Sequence, residues 1–146
     1  MKQNSHEDAY ALLRQSGHRA TEGRARILEV LVKEQKPMTV PEIIKKLGHA
    51  GLNEATLYRA LEALASSLVI RRVDLQKGNA RHYEFVLKHH HHVVCLKCGV
   101  IEPFSNELCG RIAERAIKKS KLFKKVSDHS LEVFGVCVRC LNKNHV

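Results

Sequence analysis

No apolar run in this 146-residue chain comes near the roughly 20 residues that carry a helix across a bilayer, which excludes a membrane-spanning reading. The opening MKQNSHEDAY is too polar for a secretory signal. Export is excluded with it, and the expected compartment is the reducing cytoplasm, where a disulfide framework does not persist. There is no internal repeat, and no low-complexity stretch apart from one run of histidines. Acidic residues are in short supply: 15 Asp and Glu stand against 25 Lys and Arg, a formal charge of +10. Hydrophobic residues make up 44%, enough for a packed core and too many for a disordered tail. A small chain this basic needs an acidic partner, and nucleic acid is the first candidate. Charge alone does not tell that partner from a merely soluble basic surface.

What the chain does have is cysteine and histidine, five of one and ten of the other. Four cysteines form the pairs Cys95-Leu-Lys-Cys98 and Cys137-Val-Arg-Cys140. In a reducing compartment, two such pairs read as a structural zinc site. A tight turn brings residues i and i+3 together, so each pair can set two sulfurs about 2.3 Å from one tetrahedral ion. Gly99 supplies the small residue such a turn favours, while Leu141 stands at the equivalent place after the second pair. The fifth, Cys109, falls in a helical pattern with Leu108 and Ile112 and reads as packing.

His89, His90, His91 and His92 lie just ahead of the first cysteine pair. On an extended segment side chains alternate, so His90 and His92 point one way and His89 and His91 the other. Upstream, His82-Tyr83-Glu84-Phe85 sets His82 and Glu84 on one face and the aromatics on the other. Imidazoles with a carboxylate suit a borderline divalent ion such as zinc, ferrous iron, manganese or nickel. The pattern predicts a closed thiolate site and a second, exchangeable His/Glu site.

The first half reads as four short amphipathic helices. Ala9, Leu12 and Leu13 mark one that ends at Gly17; Thr21 is placed to cap the next, with Ile27, Leu28, Leu31 and Val32 as its buried stripe. Thr39-Val-Pro-Glu42 is a capping box with proline in the first turn, leading to Ile43, Ile44 and Leu47 before Gly48. Asn53 caps a fourth helix in which Leu57, Leu61, Leu64 and Leu68 share one side. Its other side carries Ala55, Thr56, Tyr58, Arg59, Glu62 and Ala63. Small residues let a backbone approach closely, and Thr, Tyr and Arg offer donors, as in a recognition helix lying in a major groove. A solvated helix face has the same composition, so context decides. Strands over 69–73 and 81–86, joined by a turn at 76–79, follow and complete a winged helix whose tip, with Lys77 and Arg81, reaches phosphates. Beyond Lys88 the pattern predicts strands over 93–96 and 100–104, a helix over 107–119, and a strand pair over 123–126 and 131–136. The expected fold is α+β in two domains: a winged-helix DNA-binding domain over 1–87 and an α/β domain over 88–146. The latter is small enough to need a metal staple and a partner subunit.

In order and spacing these motifs resemble the ferric uptake regulator (Fur) family of metal-responsive bacterial repressors over essentially the whole chain. The matching residues are Arg19-Ala-Thr21 with Arg24, Ala55-Thr-Leu-Tyr-Arg59, Tyr83-Glu84-Phe85, and the histidine run into Cys95-x-x-Cys98-Gly99. His129-Ser130-Leu131 and Phe134-Gly135-Val136-Cys137-x-x-Cys140 complete the match. The resemblance implies a cytoplasmic, non-enzymatic repressor of metal homeostasis, with residues 88–146 as dimerisation and metal-binding domain. It acts as a homodimer on a double-stranded DNA operator, with no membrane and no small organic substrate. Structural zinc would sit on Cys95, Cys98, Cys137 and Cys140. A regulatory divalent ion (ferrous iron, zinc or manganese) would bind at the hinge between domains, where Glu84, His90 and His92 match family ligands. An additional site would use His89, His91 and His129, with Glu107 the nearest acid. Tyr58 and Arg59 match the recognition-helix contacts to DNA, joined by Arg19, Thr21 and Thr56, with Lys77 on the wing.

Two departures bear on the hinge. Many members supply a histidine ahead of the third helix, where this chain has Lys36-Pro37. They also place an acid just before the aromatic matched by Phe104, where this chain has Pro103, with Glu102 one position earlier. A one-residue shift turns a strand side chain to the other face. His82, on the face of Glu84, is the candidate replacement, giving a hinge set of His82, Glu84, His90 and His92. Peroxide-sensing members commonly carry aspartate at the positions of Glu84 and Pro103; this chain has neither, which places a peroxide-responsive regulator second, while iron and zinc both stay open. Two other classes compete. Zinc nucleobase deaminases show H-x-E followed by P-C-x-x-C. Here no proline precedes Cys95, and the second cysteine pair would close the coordination shell that an enzyme must leave open. A zinc-ribbon module that binds nucleic acid without sensing metal is the other.

Overall fold

Helix α1 (Ser5–Gln15) stops where Gly17 takes φ 77°, the left-handed conformation that lets the His18 N–H reach back to the Leu13 carbonyl at 2.8 Å. The computed structural model describes residues 5–48, 52–76, 80–85, 89–106 and 108–142. Lys77, the wing turn at 77–79 and Glu107 lie outside the described residues. The chain falls into two units, Met1–Leu87 and Lys88–Val146.

In the first unit, α2 (Glu22–Glu34) begins after Thr21, which holds the extended cap conformation but makes no side-chain cap bond. Its buried stripe is Ala25, Ile27, Leu28 and Leu31. Helix α3 (Val40–Leu47) opens on the expected capping box: the Thr39 hydroxyl accepts the Glu42 N–H at 3.4 Å and the Glu42 carboxylate accepts the Thr39 N–H at 2.7 Å. Helix α4 (Glu54–Ser66) is capped by Asn53, whose side-chain oxygen accepts the Thr56 N–H at 2.8 Å. Leu57, Ala60, Leu61 and Leu64 form its buried face.

Leu68 does not extend that face. The helix ends at Ser66, Leu68 turns to φ 60° and is 80% exposed, and Ile70 takes the core position instead. The reversal is held by the Leu64 carbonyl, which accepts the N–H groups of both Val69 and Ile70 at 3.0 and 3.4 Å. A left-handed leucine costs roughly 1–2 kcal/mol that glycine does not incur. Leu68→Gly is therefore expected to raise stability to denaturant by about 0.5 kcal/mol or more, net of glycine's larger unfolded-state entropy. Unchanged or lower stability would show that the turn is unstrained.

Strands β1 (Met38–Thr39), β2 (Arg71–Val73) and β3 (His82–Glu84) form an antiparallel sheet in the order β1-β3-β2, with Met38 opposite Tyr83 and Val73 opposite His82. Fully buried Tyr83 brings this sheet into the helical core of Leu13, Ile27, Leu28, Leu31, Leu57, Leu61 and Leu64. Helices backed by this sheet make a winged helix. Strand β1, at two residues, is too short to carry a periodicity in the sequence.

The second unit is a sheet of β4 (His91–Cys95), β5 (Ile101–Phe104) and β6 (Glu132–Gly135) in the order β5-β4-β6, with α5 (Leu108–Lys119) and a final short α6 (Val138–Asn142). Strands β4 and β5 are antiparallel; β4 and β6 are parallel, and α5 lies in the crossover that a parallel pair requires. Residues 123–126, expected as a strand, form none; the free edge of β4 is taken by β6 alone, and Phe123 is exposed. Among the described residues, the buried apolar side chains of this unit are Val94, Cys95 and Cys109. Val93 and Val133, register neighbours on one sheet face, are both exposed. No described helix is long and apolar enough to cross a membrane.

Candidate metal centres and nucleic-acid face

The four paired cysteines converge because β4 and β6 run in parallel register. Cys95 lies beside Gly135, and the Leu96 N–H donates to the Gly135 carbonyl at 2.8 Å, so the two C-x-x-C turns start side by side. The first turn closes with the Gly99 N–H on the Cys95 carbonyl at 2.8 Å, Gly99 being at φ 73°. In the second, the Cys137 carbonyl accepts the N–H groups of Cys140 and Leu141 at 2.9 and 3.0 Å, which turns the chain into α6. The four sulfurs lie within 4.8 Å of one another, and Cys98 and Cys137 approach to 3.6 Å. Thiolates around tetrahedral zinc are about 3.8 Å apart, from Zn–S of 2.3 Å.

Their ionisation fits a shared cation. Backbone N–H groups of Cys98 and Cys137 hold the Cys95 thiol down to about 5, and the Cys140 N–H lowers Cys137. Cys140 is pushed up to about 12, first by its hydrogen bond to Cys98. Thiolates this close oppose each other's ionisation, and a dication relieves that opposition for all four. All five cysteines are free thiols. The set fits structural zinc.

The histidine run alternates as its spacing predicts. Rings of His90 and His92 lie with centroids 4.9 Å apart, and those of His89 and His91 at 4.5 Å. His129 joins the second pair, 4.5 Å from His89 and 5.4 Å from His91. The fourth donor there is Cys109, whose sulfur lies 3.4 Å from His89 Nε2. His82 and Glu84 lie on β3 in the first unit, both buried.

On α4, Ala55, Tyr58 and Arg59 are exposed and Thr56 is half-buried. Arg19 is exposed ahead of α2, where its carbonyl accepts the Arg24 guanidinium at 3.1 Å, and Thr21 is half-buried. Tyr58 and Arg59 thus form an exposed pair on the helix that precedes β2 and β3, with the hydroxyl and guanidinium donors that groove contacts use.

Residues 15–134 match the sequence model of the ferric uptake regulator family. The chain belongs to that family. It is 31% identical over 142 residues to the peroxide operon regulator of Bacillus subtilis (strain 168), covering 95% of this chain and 96% of that one. It is 28% identical over 131 residues to the ferric uptake regulation protein of Legionella pneumophila, covering 88% and 95%. The crystal structure of the Vibrio cholerae ferric uptake regulator superposes with a TM-score of 0.69 at 30% identity, covering 87% of this chain and 98% of that one. The protein is thus a Fur-family, metal-dependent transcriptional regulator, and its family consists of regulators rather than enzymes.

Two residues of this Fur-family chain have roles that sequence reasoning missed. Cys109 is 6% exposed and belongs to the histidine cluster, whereas Leu108 and Ile112, its supposed packing partners, are 53% and 64% exposed. Its signal was being an odd cysteine two residues from the acid proposed for that site. Glu62 shares the polar side of α4 with Tyr58 and Arg59, but it ties that helix to the sheet. It accepts the Tyr83 hydroxyl at 2.5 Å, Arg81 at 3.2 Å and Arg72 at 3.3 Å. The Tyr83 bond, with the two arginines, lowers the Glu62 carboxyl; burial, then Glu62, push Tyr83 up to about 12. Glu62→Gln keeps an acceptor but drops the charge that occupies two guanidiniums. It is expected to raise affinity for non-specific duplex about fivefold at low salt and steepen the logarithmic salt slope by about one. An unchanged slope would mean that neither arginine reaches a phosphate.

Proposed function

We propose that this regulator represses transcription as a homodimer on a double-stranded DNA operator when a divalent ion, ferrous iron or zinc, occupies a hinge set of His82, Glu84, His90 and His92. The observation that carries the reading is a winged helix with an exposed Tyr58–Arg59 face, joined to a unit rich in metal donors. An ion held by donors from both β3 and the histidine run would favour one arrangement of the reading heads. Metal and DNA affinity would then rise together, typically by about 1–3 kcal/mol of coupling. Three imidazoles and a carboxylate, without sulfur, suit iron, zinc or manganese.

Dimerisation is supported by the second unit's scant apolar interior and by exposed Val93 and Val133, a face suited to a second copy. Paired recognition helices would meet half-sites roughly 34–36 Å apart. Tyr58, Arg59 and Thr56 would read bases, with Arg19, Thr21 and Lys77 positioning the backbone. Cysteines spaced for metal rather than for disulfides suit a reducing cytoplasm, where the regulator would act. A peroxide-responsive regulator is the second reading, favoured by the likeness to the Bacillus subtilis peroxide operon regulator.

Operator affinity measured against free iron, manganese and zinc tests the function: affinity must rise with one of them, and metal-independent binding would reject it. Loss of iron-dependent binding on peroxide treatment, with manganese-dependent binding retained, would select the second reading. His82→Ala is expected to weaken the second metal equivalent about tenfold or more. Unchanged affinity would remove His82 from the set.

A further inference from the structure

We propose that Cys109 Sγ completes a second closed zinc site with His89, His91 and His129, three imidazoles and one thiolate, within the second unit. The site goes beyond the hinge reading and does not depend on it. The family resemblance implies an acid, Glu107, as the fourth donor; Glu107 lies outside the described residues, and among those described the fourth donor beside the three imidazoles is the Cys109 sulfur.

The four donor atoms lie close enough to share one ion. The four ligand atoms lie within 4.8 Å of one another, with Cys109 Sγ 3.4 Å from His89 Nε2 and the Nε2 atoms of His89 and His91 2.9 Å apart. Around tetrahedral zinc, with Zn–N near 2.05 Å and Zn–S near 2.3 Å, such pairs stand about 3.6 and 3.3 Å apart. These two pairs lie within a few tenths of an ångström of those separations. Cys109 and His91 are almost fully buried, and the Nε2 of His129 is buried without a hydrogen-bond partner. Exposed His89 is the rim through which an ion enters.

Three elements supply the donors: the segment entering β4, the first turn of α5, and the stretch before β6. The Cys109 thiol donates to the Asn106 carbonyl at 2.8 Å. On ligation the sulfur gives that proton to solvent and a bond to metal takes its place. A thiolate with three imidazoles fills all four tetrahedral positions with soft or borderline donors. That selects zinc, with cobalt(II) as its spectroscopic surrogate, and disfavours manganese, which takes oxygen ligands. The ion would staple α5 to a sheet that has little apolar interior to hold it.

The test uses the full chain with zinc already on its four paired cysteines. One further equivalent of zinc is expected to protect the Cys109 peptide from alkylation, read by mass spectrometry, while manganese at the same concentration does not. Cobalt(II) in place of the added zinc is expected to give a near-ultraviolet sulfur-to-cobalt charge-transfer band. The hinge set contains no sulfur, so both signals report this site alone. Cys109→Ser is expected to lose the band and weaken the added zinc about tenfold or more. Cys109→Asp is expected to bind again, with preference moved toward manganese and iron. Equal alkylation of Cys109 with and without zinc, or a band that survives in Cys109→Ser, overturns the proposal. Should Cys109→Ser fail to fold, alkylation of the unsubstituted chain still decides.

Discussion

Removing zinc from the paired cysteines with a strong chelator, or replacing Cys137 with serine, is expected to unfold residues 88–146 and leave the winged helix folded. The asymmetry follows from the two interiors. The first unit has a continuous core in which Leu13, Leu28, Leu31, Leu57, Leu61 and Leu64 are all fully buried. Among the described residues, the apolar side chains that the second buries are Val94, Cys95 and Cys109, and two of those are thiols in groups that could hold a metal ion. Structural zinc contributes about 10–16 kcal/mol of binding free energy near neutral pH, comparable to or larger than the roughly 5–15 kcal/mol stability of a whole domain. Without it, the four sulfurs are left as a crowded set with opposed ionisation. The expected readout is loss of the amide signals of 91–95 and 132–135 with those of α2 and α4 unchanged, together with dissociation of the proposed homodimer. Retention of the β4–β6 signals after chelation would mean that the sheet stands without its ion.

Arg59→Ala is expected to weaken operator binding about 10- to 100-fold, the range for losing one good base contact. Zinc content, dimerisation and thermal unfolding should stay as they are, because Arg59 is exposed on α4 while Leu57, Ala60, Leu61 and Leu64 hold the helix in place. Leu61→Ala supplies the contrast. It removes a fully buried side chain, should cost about 2–5 kcal/mol of stability, and loses DNA binding only by unfolding the reader. Operator affinity unchanged in Arg59→Ala would mean that α4 is not the recognition helix.

What could be read from sequence was what is decided locally. The Thr39–Glu42 capping box, the Asn53 cap and the stripe of Leu57, Leu61 and Leu64 each depend on residues within a turn or two of one another. The cysteine pairs were legible because zinc chemistry restricts their spacing. The alternation of His89 to His92 followed from extended backbone alone. What escaped depends on contacts distant in sequence. Leu68 carries the right spacing for the stripe, but the Leu64 carbonyl captures the chain beyond it and turns the side chain outward. Glu62 meets Tyr83 and Arg81 across 21 and 19 residues, and Cys109 meets His89 across 20. Each has an unremarkable local pattern, a polar residue on a helix face and a small one near an apolar pair, so only the folded chain reveals the partner.

The parallel pairing of β4 with β6 has a consequence for the protein's birth. Cys98 and Cys137 are 39 residues apart, so the zinc shell cannot close until the whole crossover through α5 has been made. The winged helix lies entirely ahead of that point in the chain and is built from nearby helices, which fold fast and early during synthesis. On the proposed function, a growing chain would therefore pass through a stage in which its DNA-reading unit is folded while the second unit is not yet stapled for pairing with another copy. The metal supply met by each new molecule would then set how long that one-headed stage lasts.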